Sequence, residues 1–385
     1  MIILFNNKED CCGCSACFNI CPASAIQMIP DEEGFLYPEI DTSICTECGL
    51  CKKVCAFQKF IDHKDNFSEP SVYALKHKSE HVLTNSSSGG AFTAISDRML
   101  EQNGIVYGAA HDENLKTIHV RASSKEERDR CRGSKYVQSD LGDVFKMVRD
   151  DLKKSKKVLF SGTPCQIAGL NEFLSVSACD TSGLLTVDLV CNGTPSPKLF
   201  KEYIAFCESK RKRKIIEYFH RPKDKGWGHI EKTVYMNGYK EYDSSLSNTW
   251  RNLFYSHLFL RPSCYVCKYT NLQRSADITV ADYWGIEKAH PEFMDNRGVS
   301  LVLVNTPKGK ALFESIKDDT ICIQSDIERC MQRNLKTPTP RPKGRNHAWA
   351  DYEKYGFKGI AKRYGGYGFK AILKSRIRKL LSTLG

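Results

Sequence analysis

Two cysteine runs decide what the first sixty residues can fold into. CCGCSACFNICP places Cys11, Cys14, Cys17 and Cys21 in C-x2-C-x2-C-x3-C-P order, and CTECGLCKKVC repeats the spacing with Cys45, Cys48, Cys51 and Cys55. Thiolates two residues apart can wrap three corners of a cubane from one tight loop. The fourth cysteine is expected to start a helix leading away from that loop, which sends it to the other cluster. On this reading Cys11, Cys14, Cys17 and Cys55 hold one [4Fe-4S] cluster, and Cys45, Cys48, Cys51 and Cys21 hold the second. A pair of zinc ribbons needs only two C-x2-C pairs and leaves the third and fourth cysteines of each run unexplained. Cys12 is an extra thiol in the first loop and is read as a bystander. Between the runs, DEEGFLYPEID alternates around Gly34 as a hairpin does. The expectation is an α+β bacterial-type ferredoxin domain over residues 1–60.

Nine of the 18 cysteines crowd into positions 11–55 at ligand spacing, so they read as ligands before disulfides. The opening MIILFNN is too short for a secretory signal, and no apolar run approaches the length of a membrane span. A cytoplasmic protein is expected. The net charge of +12 is concentrated in residues 341–385, which carry twelve Lys and Arg against Asp351 and Glu353. The rest is close to neutral, which argues against a nucleic-acid-binding face. Within this basic tail, FKAILKSRIRKLL sets Phe369, Leu373, Ile377, Leu380 and Leu381 on one helical face with lysines and arginines around it. Such a helix can lie peripherally on an anionic inner-membrane surface, dock on an acidic partner, or pack on its own domain.

After a polar linker over 61–71, strands alternate with helices. VYALKH, GIVYGAA and KKVLFSG read as strands, and helices are expected after the serines at 86–88 and over about 139–154. KKVLFSGTPCQIAGL and LLTVDLVCNGTPSPKLF resemble each other: each is a buried strand, a G-T-P turn and a helix beginning at proline. Parallel units of this kind set their turns side by side at the carboxyl edge of a sheet, where ligands bind. The body is therefore expected to be an α/β domain with a largely parallel or mixed sheet, with one part over 72–155 and a second over 156–340. One-electron centres need a two-electron cofactor to meet a soluble donor or acceptor, and a flavin is the economical choice.

The two ferredoxin runs, SSSGGAFTAI at 86–95, RGSKYVQS at 132–139, SGTPCQIAGL at 161–170, CNGTPSP at 191–197 and CYVCKYTNLQRSADITVADYWG at 264–285 resemble the coenzyme F-420 hydrogenase/dehydrogenase beta-subunit family. The resemblance covers residues 10 to about 305. It implies an FAD-holding body that exchanges two electrons with a redox partner protein or a soluble donor, a reduced deazaflavin being one. Relatives include iron-sulfur reductases of chlorophyll pigments, and others occur beside polysaccharide-synthesis genes. Carried over by motif, Ser88, Gly89, Gly90 and Thr93 lie at the flavin, with Ser134, Lys135 and Tyr136. Gly162, Thr163, Pro164, Cys165 and Gln166 line the same pocket.

The resemblance further implies that Cys165, Cys191, Cys264 and Cys267 hold a third [4Fe-4S] cluster between the ferredoxin pair and the flavin. The alternative leaves Cys264 and Cys267 capping a turn or sharing a zinc, with Cys165 and Cys191 as small buried apolar groups. Cys131, Cys179, Cys207, Cys322 and Cys330 lack ligand spacing. Asp282, at a strand end, reads as a site acid, a helix cap or a salt-bridge partner, and His229, flanked by glycines and Trp227, as structural. The rival to a flavin enzyme is a flavin-free electron-transfer adaptor serving a separate catalytic subunit, and a redox sensor is a third reading.

Overall fold

A computed structural model describes residues 2–59 and 65–368. The amphipathic stretch from Phe369 onward lies outside the described residues, as do residues 61–64 of the expected linker. The N-terminal unit holds one antiparallel hairpin, β1 (Ile26–Pro30) with β2 (Leu36–Ile40), turning through Gly34. Gly34 has φ +83°, and a Cβ there would stand 2.2 Å from Cβ of Lys198, so the turn lies flush on the body.

The helices of this unit are short, and in the first run they sit differently from expectation. They span Ala16–Ile20 and Leu50–Lys53, each including the third cysteine of its run. Cys21 therefore closes a helix rather than starting one, whereas Cys55 opens the short 3-10 helix Ala56–Gln58, as expected. One helical turn is enough to swing the fourth thiol off its own loop.

The body is one mixed sheet of eight strands. β3 (Ser71–His77), β4 (Ile105–His111), β5 (Thr117–Ala122), β6 (Val158–Gly162) and β7 (Leu184–Leu189) come first in the chain. A separate three-stranded sheet follows, made of β8 (Ile215–Phe219), β9 (Lys232–Tyr235) and β10 (Lys240–Tyr242). β11 (Ile278–Asp282), β12 (Ser300–Val304) and β13 (Thr320–Ser325) then complete the large sheet in the order β13-β3-β12-β11-β7-β6-β4-β5. β4, β6, β7 and β11 run parallel, and antiparallel strands flank them. Because β3 is inserted between β12 and β13, the parts over 72–155 and 156–340 share one sheet. Continuous apolar runs such as SLVLV in β12 are buried along their whole length, as a strand covered on both faces requires.

The helix Pro164–Val176 follows β6 with proline in its first turn and a capping box between Thr163 and Gln166. The G-T-P unit after β7 departs from this pattern: the chain runs through a longer loop, and the helix starts at Pro197 rather than at the proline of the turn. Both loops nevertheless leave parallel strands at the same sheet edge. The first half of the expected basic tail is not a tail. Residues 345–363 form two helical stretches broken at Gly356, whose φ is +61°, and their Ala348, Trp349, Phe357 and Ile360 enter a core shared with Leu199, Tyr203 and Trp250. No helix among the described residues is long and apolar enough to cross a membrane.

Candidate functional site

The two ferredoxin loops take matching backbone shapes. Gly13 and Ser15, on either side of Cys14, have φ of 70° and 59°, and Glu47 and Gly49, on either side of Cys48, have 53° and 75°. Four left-handed residues at equivalent places fold each C-x2-C segment around a centre. At Gly13 the choice of residue is forced, since a Cβ would sit 2.7 Å from the Arg261 guanidinium.

Thiol crowding shows which cysteines meet. Burial pushes the Cys17 thiol up, and its neighbours Cys14, Cys11 and Cys55 push it further. For Cys51, burial is again the main cause, with Cys48 and Cys21 adding to it. The fourth cysteine of each run thus faces the other run's loop. Cys45, its amide bonded to the carbonyl of Asp41 at 3.1 Å, opens the second loop, and Cys48 is exposed.

Cys165, Cys191, Cys264 and Cys267 also converge, from four separate places in the chain. Burial raises the Cys191 thiol, followed by the influence of Cys264, Cys165 and Cys267. Backbone N–H groups point at the sulfurs: Gly193 donates to Cys191 Sγ at 3.3 Å and Thr194 to Cys264 Sγ at 3.4 Å. Crowded, half-buried thiols of this kind repel one another as thiolates, so they fit a cationic cluster that reverses the repulsion. Among the described residues no three His, Cys, Asp or Glu side chains gather closely enough for a single metal ion. The cubane reading asks for wider spacing, since thiolates at its corners are held apart by the cluster itself.

Cys12 is more than a bystander in position. Its buried thiol is within hydrogen-bonding reach of both Cys14 and Cys165, so it lies between the first ferredoxin set and the body set. Arg261, 1% exposed, fastens the same junction. Its Nε donates to the carbonyl of Cys11 at 2.8 Å, Nη1 to Gln138 Oε1 at 3.1 Å and Nη2 to the carbonyl of Leu36 at 3.0 Å. The Tyr37 ring lies 4.2 Å below the guanidinium.

The body cysteines line a cavity of about 830 Å³ at the carboxyl edge of the parallel strands. Ser88, Gly90, Thr93, Ser134, Lys135, Tyr136, Gly162, Thr163, Pro164 and Gln166 line it too. Gly89 does not: a Cβ there would meet the carbonyl of Leu75 at 2.1 Å, so this glycine lets the loop pack on β3 and β12. Several polar groups are already engaged. Ser88 Oγ donates to the carbonyl of Val299 at 2.8 Å, and Gln166 accepts from the Thr163 amide while donating to Ser139 Oγ, both at 2.9 Å.

Other groups remain available. The helix Ala91–Glu101 begins at Gly90, which brings no side-chain cap, and Ala91, Phe92 and Thr93 face the cavity. Its first N–H groups form a cradle for an anion. The Lys135 ammonium donates to the carbonyls of Arg130 and Arg132 at 2.8 Å each, and burial lowers its pKa to about 8. The Tyr136 ring packs against His229 and Phe254, with centroids at 4.8 and 4.6 Å.

At the mouth, Asp282 proves to be a salt-bridge partner. It pairs with Arg221 and accepts from Trp227 Nε1 at 2.7 Å. Trp227 stacks on Trp284 at 4.8 Å and 7°, and Trp284 lines the cavity. Sequence reasoning misses Arg261, Tyr255 and Glu231, which lie in no motif. It also sets His229 aside, although its ring contacts Tyr255 and Tyr136 of the cavity lining.

Comparison with known proteins follows this division. Residues 10–59 match the 4Fe-4S dicluster domain. Residues 72–146 match the N-terminal part, and 155–329 the C-terminal part, of the coenzyme F420 hydrogenase/dehydrogenase beta subunit. No curated protein matches the sequence. Among solved structures, the F420-reducing [NiFe] hydrogenase complex from Methanosarcina barkeri aligns at 17% identity with a TM-score of 0.48, covering 77% of this chain and 96% of that one. With both parts of one beta subunit matched in order behind a dicluster domain, the chain belongs to the coenzyme F420 hydrogenase/dehydrogenase beta-subunit family, among iron-sulfur oxidoreductase subunits.

Proposed function

We propose that the chain is an iron-sulfur flavoprotein oxidoreductase subunit that holds FAD in the body cavity and three [4Fe-4S] clusters. The observation that carries this reading is a shared wall: Cys165, Cys191, Cys264 and Cys267 line the same cavity as the uncapped helix start at Gly90 and the Lys135 ammonium. When bound, the flavin supplies two-electron exchange and the cubanes supply one-electron transfer.

The chain's own residues do the rest. The N–H groups opening Ala91–Glu101 and the Ser87 hydroxyl suit phosphate oxygens, and Lys135 suits a ring that gains negative charge. Tyr136 presents a fixed aromatic wall. The sulfur sets succeed one another outward: the body quartet at the cavity, then Cys11, Cys14, Cys17 and Cys55 across Cys12, then Cys45, Cys48, Cys51 and Cys21. The exposed Cys48 end is where a redox partner protein would approach, and the cavity mouth is where a soluble two-electron donor would enter.

Anaerobic purification followed by flavin extraction and iron counting tests the reading. Stoichiometric FAD and about twelve iron atoms per chain are expected. An iron-replete protein without flavin would leave the electron-transfer adaptor standing instead.

A further inference from the structure

A hydrogen-bonded chain of titratable groups that the electron-carrying sites leave unused runs inward from the cavity wall. Tyr255 closes the helix Asn248–Tyr255, lines the cavity and is half exposed. Its hydroxyl stands 2.6 Å from His229 Nδ1, and His229 Nε2 stands 3.3 Å from Glu231 Oε1. Two contacts set the imidazole in place: the Tyr136 ring stacks on it, and Arg251 Nη1 donates to the His229 carbonyl at 2.6 Å.

Glu231 is completely buried, and its second oxygen has no hydrogen-bond partner. His220 lies 3.4 Å from that oxygen with both ring nitrogens unpaired. A buried, half-satisfied carboxyl at the inner end of a Tyr-His chain is costly as pure structure. Tyrosine, histidine and a carboxyl in series are the parts of an acid-base relay.

We propose that Tyr255, His229 and Glu231 form a proton relay for the two-electron chemistry of the cavity, with the Tyr255 hydroxyl meeting the reacting ring and the other two acting through it. The proposal rests on the flavin reading above. Two electrons that reach a flavin singly from reduced iron-sulfur centres are matched by one proton, which a cubane does not supply. In that step the Tyr255 O–H bond breaks as an N–H bond forms on the ring. Tyr255 regains a proton from His229 Nδ1, and Nε2 takes the proton of the Glu231 carboxyl. Glu231 ends as the carboxylate and is reprotonated from solvent by the same path in reverse. Burial, which raises the Glu231 carboxyl, supports a protonated starting state. The other groups facing the relay are Arg221, paired with Asp282, together with Arg251, Tyr218 and His220.

The test uses the full chain purified without oxygen, with flavin and iron measured first. Reduction of the bound flavin by reduced methyl viologen is followed by rapid mixing, per bound flavin, across neutral pH and in heavy water. Tyr255→Phe and His229→Gln are each expected to slow it about a hundredfold, to alter the pH profile and to change the solvent isotope effect. The double variant is expected to be no slower than either single one. Nitrogen NMR of labelled histidine gives a readout independent of turnover: Tyr255→Phe and Glu231→Gln should each move the His229 ring resonances. A Tyr255→Phe protein that reduces within twofold of wild type, with the same pH profile and the same His229 resonances, overturns the relay. Wild-type protein without flavin overturns the underlying reading, and this is seen before any variant is compared.

Discussion

Arg261→Met should loosen the ferredoxin unit from the body without unfolding the body. The substitution keeps much of the apolar stem over Tyr37 but removes the donors to Cys11, Leu36 and Gln138. Three charge-assisted bonds at roughly 1.5 kcal/mol each come to about 4.5 kcal/mol, and relief of a buried cation's desolvation offsets part of that, leaving about 3 kcal/mol. If this free energy governs local opening, amide exchange in the Cys11–Cys14 loop and at Leu36 speeds up roughly a hundredfold, at about 1.36 kcal/mol per tenfold. Hydrogen exchange read by mass spectrometry on the iron-loaded protein measures it. Arg261→Lys should fall between, because a single ammonium does not span three acceptors. Exchange in that loop within threefold of wild type, or a uniform rise through the eight-stranded sheet, would refute the claim that Arg261 fastens the two units.

Cys191→Ser should lower the iron content from about twelve to about eight atoms per chain while leaving the ferredoxin absorption in place, as iron assay and spectra will show. FAD affinity should fall as pH rises above about 8, where Lys135 loses its proton, by up to about tenfold per pH unit. The sign follows from the ammonium at the cavity: an anionic ligand favours its charged form, present below that pH and lost above it. Lys135→Met should bind more weakly at neutral pH and lose that dependence, which flavin fluorescence titration measures.

Legibility in the sequence followed the range of the interaction. The cysteine runs were readable because ligand spacing is local, and the proposed crossing of Cys21 and Cys55 is consistent with the thiol crowding around Cys17 and Cys51. The direction of the first short helix was not readable, since five residues over Ala16–Ile20 are too few to display a 3.6-residue period. Gly89 and Gly90 read alike as loop glycines. Only the approach of Leu75 and Ser300 separates a packing role for Gly89 from the helix-opening role of Gly90, whose φ is +88°. The helical segment over 345–363, broken at Gly356, reads as part of a charged tail when its charge is weighed before its apolar pattern, although Ala348, Trp349, Phe357 and Ile360 carry the signal. Arg261, Glu231 and Tyr255 had no local signal at all: each acquires meaning from residues far away in the chain.

Arg261 also ties docking to iron. A buried guanidinium needs a counter-charge, yet its hydrogen-bond partners among the described residues are carbonyl oxygens, an amide oxygen and, at 3.6 Å, Cys11 Sγ. Cys11, Cys12 and Cys264 in their thiolate forms favour its charge. On the proposed cluster assignment Cys11 belongs to the first ferredoxin set and Cys264 to the body set, so ligand thiolates would supply the missing negative charge from both sides of the junction. Stripping the iron protonates these thiols, because burial holds Cys11 and Cys264 above the ordinary thiol range. The cation is then left uncompensated. Iron-free wild-type protein should therefore show faster exchange around Leu36, in the direction of Arg261→Met. Adding that substitution to the stripped protein should cost less than it does in the loaded one. Equal costs in the two states would mean that Arg261 fastens the units through its hydrogen bonds alone.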